Sequence, residues 1–297
     1  MKIIDIVFII LHYQNTGDTV DCVNSIQRNL DTNNYLIVIV DNGSTNNSYQ
    51  DLITLYNDNP FVDCICCYSN LGFARGLNFG IDYVRKFNST DFIVLLNNDT
   101  NILGKNWFSV IKEKYKLYSY HIMGPKIVDE NGNHTANPDP VQYKDIRSVK
   151  QSILKKKISY VLYYTYLIFI LKYCKKLIYS LLNINVNNQK QQLEDKRDIC
   201  ENLQIEGSAI ILSKLYFDKM NGLYDRTFLY VEEAIMKHLA DCKNMKIVYT
   251  PEISLLHKRG KATQFSCKTD RQKKIFYLKH SIHSCQQLLS LMRQNNI

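Results

Sequence analysis

Several familiar signatures are missing from this 297-residue chain. No Walker A sequence occurs, and Gly72, Gly76 and Gly80 do not form G-x-G-x-x-G, so the commonest glycine-rich phosphate cradles are excluded. Cys64 and Cys67 make a Cys-x-x-C, but no second pair and no nearby histidine accompany it. The nine cysteines are scattered and set mostly in apolar runs. They read as reduced, buried thiols of a cytosolic protein, not as a zinc site or a disulfide framework. The first apolar run is broken by Asp5 and has no small-residue cleavage site, so it reads as a strand and not as a signal peptide. Residues 158–171 carry no charge, yet fourteen helical residues rise only about 21 Å against a hydrocarbon core of ~30 Å. A membrane-spanning helix is therefore not expected. A composition of 45% hydrophobic and 22% charged residues excludes a disordered or fibrous chain, and the length suits one large domain or two small ones.

What is present is unevenly distributed. The formal charge of +9 equals that of residues 144–190 alone, where ten basic residues meet one acid, Asp145. The remainder is neutral. The first half alternates strand-type and helix-type runs: strands at 3–11, 35–40, 62–68 and 91–96, with helices at 18–30, 48–57, 73–87 and 105–117. Repeated βα units predict a mostly parallel sheet with helices on both faces, and in such sheets ligands bind beyond the carboxyl ends of the strands. Polar residues and glycines gather there: His12, Tyr13 and Asn15 after the first strand, Asp41 and Asn42 after the second, Asn70 and Gly72 after the third, and Asn97, Asn98 and Asp99 after the fourth. Further on, the pattern predicts a strand at 209–212, a short helix at 213–221, an aromatic strand-like run at 228–231 and a strand at 246–249 that ends at Pro251.

Each cluster has a chemical reading and a plain structural one. Asp41 can accept from a base N–H or a ribose hydroxyl, or can close an Asx turn. Asp99 offers the hard oxygen that suits Mg²⁺ or Mn²⁺ beside phosphates, or ends a turn. Glu232 and Glu233 can supply a general base, or can be acids favoured at a helix amino terminus. His257 can be a metal ligand or a packed surface histidine.

Together, and in this order, VDNGST (40–45), NLGFARGLNFG (70–80), LLNNDT (95–100), GSAIILSK (207–214), YVEE (230–233), IVYTPE (247–252) and LLHKRG (255–260) resemble bacterial glycosyltransferases of family 2. These include rhamnosyltransferase-like enzymes of surface polysaccharide assembly. The resemblance covers residues 3–126 and 205–263. It implies an α/β, GT-A (Rossmann-like) fold with a mostly parallel sheet, here carrying an inserted basic and aromatic helical segment and a carboxyl-terminal helix. The expected divisions are a nucleotide-sugar half at 1–130, the insert at 131–203, an acceptor and catalytic half at 204–263 and a helical tail at 264–297. The implied activity is inverting transfer from a UDP- or dTDP-sugar to a saccharide, with Mn²⁺ or Mg²⁺. By position, Asp41 would meet the nucleobase, and His12, Tyr13 and Asn15 would line the nucleotide. Asn42, Asn70, Gly72, Arg75, Asn78, Asn97 and Asn98 would complete the donor site. Asp99 and His257 would hold the metal, Glu233 would be the base, and Glu232 and Tyr230 would lie on the acceptor side.

Where the family often has an Asp and an Arg after the acidic pair, this sequence has Ile235 and Leu239. That departure keeps open a second expectation, a catalytically weak relative that binds a nucleotide sugar or a partner. The insert suggests a peripheral position at the inner face of the plasma membrane, with tyrosines at headgroup depth and lysines on anionic lipid. A lipid-linked acceptor would suit that position. A hairpin packed on its own domain or in a homodimer is the other expectation, and nucleic acid is not expected, because the aromatics form one block without interleaved arginines.

Overall fold

A computed structural model describes residues 2–134, 137–171, 173, 198, 203–258 and 269–294. Eight strands form one sheet in the order β3-β2-β1-β4-β7-β6-β8-β5. The first βα units supply β1 (Lys2–His12), α1 (Thr16–Asn29), β2 (Tyr35–Asp41), α2 (Ser48–Tyr56), β3 (Val62–Cys66), α3 (Phe73–Phe87) and β4 (Asn88–Asn97). β5 (Thr100–Leu103), α4 (Trp107–Tyr118), β6 (Ile122–Val128) and α5 (Ile146–Tyr164) follow. The chain then adds β7 (Ala209–Ser213), α6 (Lys214–Phe217), α7 (Glu232–Cys242), β8 (Ile247–His257) and α8 (Asp270–Gln294).

β1 shows why the first strand is almost continuously apolar. Its residues point alternately to two faces, and both are covered. Ile6, Phe8 and Ile10 pack with Cys22, Val23 and Ile26 of α1 and with Trp107 of α4. Val7 and Ile9 face the other way, onto Leu77, Ile81 and Val84 of α3. α3 can lie this close because a Cβ at Gly80 would stand 2.6 Å from Ile9 Cγ2. A third cluster joins Val149 and Ile153 of α5, Ile235 and Leu239 of α7, and Cys285, Leu288 and Met292 of α8. Ile235 and Leu239 are thus core contacts of a helical layer.

The sheet is mixed. β1 pairs in parallel with β2 and β4, and β2 with β3. β7 is antiparallel to both β4 and β6, and β6 is parallel to β8. β8 therefore runs in the direction of β1 and ends at the same edge. β5 returns antiparallel along β8, with Thr100 opposite His257. That pairing sets Asp99 beside His257.

The strand expected to stop at Pro251 continues to His257. The partner of β6 jumps from Thr250 to Ser254 between Pro125 and Lys126, a bulge that leaves Pro251, which has no N–H, outside the ladder. The run 228–231 is not a strand. Tyr230 and Val231 adopt left-handed φ values of 72° and 71°, turning the chain abruptly into α7. The expected C-x-x-C thiols, Cys64 and Cys67, are free, and Cys67 is buried.

Candidate active site

Two clefts open at the edge where β1, β2, β4 and β8 end. A polar cleft of about 540 Å³ is bordered by Asp41, Gly43, Ser44, Tyr49, Cys66 and Tyr68. A second, of about 460 Å³, is bordered by Asn42, Gly72, Asn97, Asn98, Asp99, His257 and the aromatic residues Phe73, Phe228, Tyr230 and Phe276. Tyr13 and Asn70 border both.

The donor-side residues divide into those on the surface of the clefts and those behind it. Asp41 is buried yet borders the polar cleft, and it accepts from Ser44 N–H at 3.1 Å, so the Asx turn does not shut it off from the cleft. Asn42 clamps the opposite loop: its amide donates to Gly72 O at 3.0 Å and its Oδ1 accepts from Leu71 N–H at 2.9 Å. Asn70 Oδ1 accepts from Gly72 N–H at 2.9 Å. Gly72 has φ +84°, and a Cβ there would lie 2.3 Å from Phe228 O, so only glycine lets this loop meet the 228–231 segment.

His12 is fully buried, with its ring nitrogens 2.6 Å from Thr19 Oγ1 and 2.9 Å from Ser48 Oγ. Burial lowers its pKa to about 4 against the opposing effect of Asp41, leaving a neutral imidazole behind the cleft wall. Asn15 caps α1, its side chain accepting from Asp18 N–H, while its carbonyl accepts from Asn98 Nδ2. Asn78 grips Leu223 through both backbone groups, at 2.8 and 2.7 Å. Arg75 is exposed and donates to Leu71 O at 3.1 Å. These four bear on the clefts' shape and do not border them.

At the floor, His257 Nε2 lies 3.3 Å from Asp99 Oδ1, and Nδ1 lies 3.1 Å from Glu206 Oε1. Burial alone would lower the His257 pKa, but the two carboxylates outweigh it and raise it to about 9. The donor set also suits a divalent ion. One hard oxygen and one imidazole nitrogen face each other at a spacing close to the ~3 Å between adjacent ligands of an octahedral ion with bonds of about 2.1 Å. Glu206 on Nδ1 stands where an outer-sphere carboxylate would orient a metal-binding histidine. Lys258 follows, donating its N–H to Asp99 O at 2.9 Å and tying its ammonium to Asp18 at 3.0 Å and Asp21 at 2.7 Å.

The acidic pair opens α7. Glu233 Oε1 accepts from Gly207 N–H at 3.3 Å, and burial raises the pKa of its carboxyl above the ordinary range. It borders a small cavity of about 20 Å³, together with Gly207 and Phe73. Phe73 borders the 460 Å³ cleft as well. Glu232 Oε1 is buried without a hydrogen-bond partner, and burial next to Glu233 lifts its pKa from 4.5 to about 8. The folded state thus holds a proton that the unfolded state releases. That contribution to stability is full below pH 4.5 and is lost as pH rises towards 8, at about 1.4 kcal/mol per pH unit. Glu232→Gln should therefore stabilise the protein relative to wild type by a few kcal/mol more at pH 8.5 than at pH 4.5, read from denaturant midpoints at the two values.

The sequence model of Glycosyl transferase family 2 matches residues 7–177, more than half of the chain. The chain belongs to glycosyl transferase family 2. The glycosyl transferase family 2 match contains the donor-side residues and Asp99, whereas Glu206, Glu232, Glu233 and His257 lie beyond it. No curated protein matches the chain. Similar solved structures include S. aureus TarS, at 12% identity and TM-score 0.53, covering 86% of this chain and 37% of that one. TarS 1-349 matches at 12% identity and TM-score 0.53, over 99% and 72% of the two chains. TarS 1-349 in complex with UDP-GlcNAc matches at 13% identity and TM-score 0.52, over 87% and 60%. The likeness shows a shared GT-A fold, and this chain spans 37% of the length of TarS.

Sequence reasoning missed Glu206, Phe228, Phe276 and Lys258 as site residues. Glu206 had a signal: it lies three residues before the start of β7 at Ala209. Because β7 is antiparallel to β4, the entrance of β7 lies at the edge where β4 ends, and Asn97 N–H accordingly donates to Ser208 O at 3.0 Å.

Proposed function

We propose that the protein is an inverting glycosyltransferase using a UDP- or dTDP-sugar, with the nucleoside in the Asp41 cleft and the diphosphate at Asp99 and His257. The observation that carries this reading is the convergence of Asp99 Oδ1 and His257 Nε2, 3.3 Å apart, on a cleft that shares Tyr13 and Asn70 with the polar cleft of Asp41. The family and the UDP-GlcNAc complex of TarS support the donor class. Asp99 and His257 would hold Mn²⁺ or Mg²⁺, which when bound neutralises charge developing on a departing diphosphate. Asp41 offers acceptor oxygens to a base N–H, and the Asn42–Gly72 clamp fixes the loop beside the sugar. Glu233 accepts the proton of the acceptor hydroxyl as its oxygen bonds to the anomeric carbon. The bond from that carbon to the diphosphate oxygen breaks, and the nucleoside diphosphate leaves with the electron pair. A single displacement inverts the anomeric centre.

The test is nucleotide release from a panel of UDP- and dTDP-sugars with Mn²⁺. Turnover for at least one donor, lost on chelation, is expected; no turnover of any donor, with binding retained, would favour the non-catalytic relative.

The insert supplies the location in this reading. Leu154, Ile158, Val161 and Tyr164 recur along one face of α5, each more than half exposed, while Val149 and Ile153 pack against α8. Lys150, Lys155 and Lys157 are exposed nearby. Among the described residues no helix is long and apolar enough to cross a membrane. This face suits the headgroup region of an anionic bilayer, each lysine adding about 1 kcal/mol. Of the second half of the expected helix pair only the start is described, helical at residues 167–171; the remainder lies outside the described residues. Flotation should recover wild type with vesicles containing anionic phosphatidylglycerol and lose a Lys150→Glu, Lys155→Glu, Lys157→Glu variant. Equal partitioning would refute the surface, and a concentration-dependent dimer would assign the face to a second copy.

A further inference from the structure

We propose that Phe228, Tyr230 and Phe276 form a platform for an uncharged pyranose ring of the acceptor. This rests on the glycosyl-transfer reading and extends it to a substrate class. The 460 Å³ cleft shares Tyr13 and Asn70 with the polar cleft of Asp41. Phe228, Leu229, Tyr230 and Phe276 also border it. Among the described residues bordering this cleft there is no lysine or arginine; its one basic side chain, His257, is engaged by Asp99 and Glu206. A sugar ring presents a flat C–H face bounded by hydroxyls, which suits half-buried aromatic faces with polar groups around them.

The rings are held in place rather than loosely displayed. Phe228 and Phe276 meet edge to face at 6.3 Å, and the His280 ring packs 4.7 Å from the first and 4.4 Å from the second. Tyr230 meets Tyr277 at 4.8 Å. Phe276, Tyr277 and His280 belong to α8, whose later residues Cys285, Leu288 and Met292 are buried in the third core cluster. One ring of the platform, Phe276, therefore stands on a helix anchored in the core, and Phe228 is tied to the donor-side loop, its carbonyl accepting from Phe73 N–H at 2.8 Å. All three rings lie outside residues 7–177.

The chain has one tryptophan, Trp107, fully buried in α4, so Phe276→Trp introduces a distinguishable reporter. With UDP and Mn²⁺ present, this variant is titrated with methyl β-D-glucopyranoside, methyl α-L-rhamnopyranoside, methyl N-acetyl-β-D-glucosaminide and glucose 1-phosphate. At least one uncharged glycoside should change the emission saturably, and adding Phe228→Leu should weaken it about tenfold. Saturation-transfer NMR with the same glycosides, comparing wild type with Phe276→Leu, reads the same contact without a new indole. Absence of any saturable response in both experiments, or glucose 1-phosphate binding as tightly as the uncharged glycosides, would overturn the platform. A UDP-induced thermal shift measured on wild type separates the failures: if it persists, only the platform falls; if it is absent, the donor reading falls.

Discussion

Glu233→Gln is expected to lower turnover of the nucleotide-sugar donor by about 10²–10⁴-fold, the usual size of general-base assistance. The glutamine keeps an oxygen to accept from Gly207 N–H, a bond of 3.3 Å in the wild type, so the start of α7 should retain its geometry. Only the proton acceptor is removed. Because burial raises the pKa of Glu233, the acid limb of the wild-type rate profile should lie above the ordinary carboxylate range, with activity rising as pH increases through it. The variant's residual activity should lack that limb. Steady-state rates across pH, with UDP affinity measured in parallel, check both statements. Equal rates for the two proteins would remove Glu233 from the chemistry.

Asp99→Asn carries the second large effect. The substitution preserves shape but discards the charge that pairs with His257 at 3.3 Å. A fall of about 10²–10³-fold in turnover is expected, the scale of losing one electrostatic contact to a developing anion. The Mn²⁺ concentration for half-maximal rate should rise at the same time by more than the 10–100-fold typical of outer-sphere ligands. A purely structural role would lower thermal stability and leave the Mn²⁺ dependence unchanged, so the metal titration is the deciding readout.

The parts of this site that could be read in the sequence were those encoded locally. α3 begins and ends at Phe73 and Phe87 as its apolar spacing predicts, because Leu77, Ile81 and Val84 form one face onto the sheet. Asp41, Asn97 and Asp99 were recognisable because each stands at the carboxyl end of a parallel strand or just past it. The mixed half of the sheet was harder. β5 spans only Thr100–Leu103 and has no pattern of its own; it exists because β8 offers an edge. β6 contains Gly124 and Pro125, which argue against a strand until the bulge opposite them is known. Glu206 escaped notice because antiparallel strands bring their entrances, not their exits, to the ligand edge. Phe276 escaped for a different reason: it is nearly two hundred residues from Asn97 in the chain, and only packing of α8 on α5 and α7 brings it to the cleft.

His12, Asn15 and Asn78 show how a family motif mixes two kinds of residue. Their hydrogen bonds, to Thr19 and Ser48, to Asp18, and to Leu223, are spent on holding loops against one another. Substituting them would disturb the clefts through loop position, whereas Asp99 and Glu233 act in the proposed chemistry through charge and proton transfer.

The most direct measurement is anomalous diffraction from crystals grown with UDP and Mn²⁺. The account predicts a manganese peak shared by Asp99 and His257, with the diphosphate on that ion and the uracil beside Asp41. A nucleotide bound elsewhere, or manganese seated away from both side chains, would contradict it.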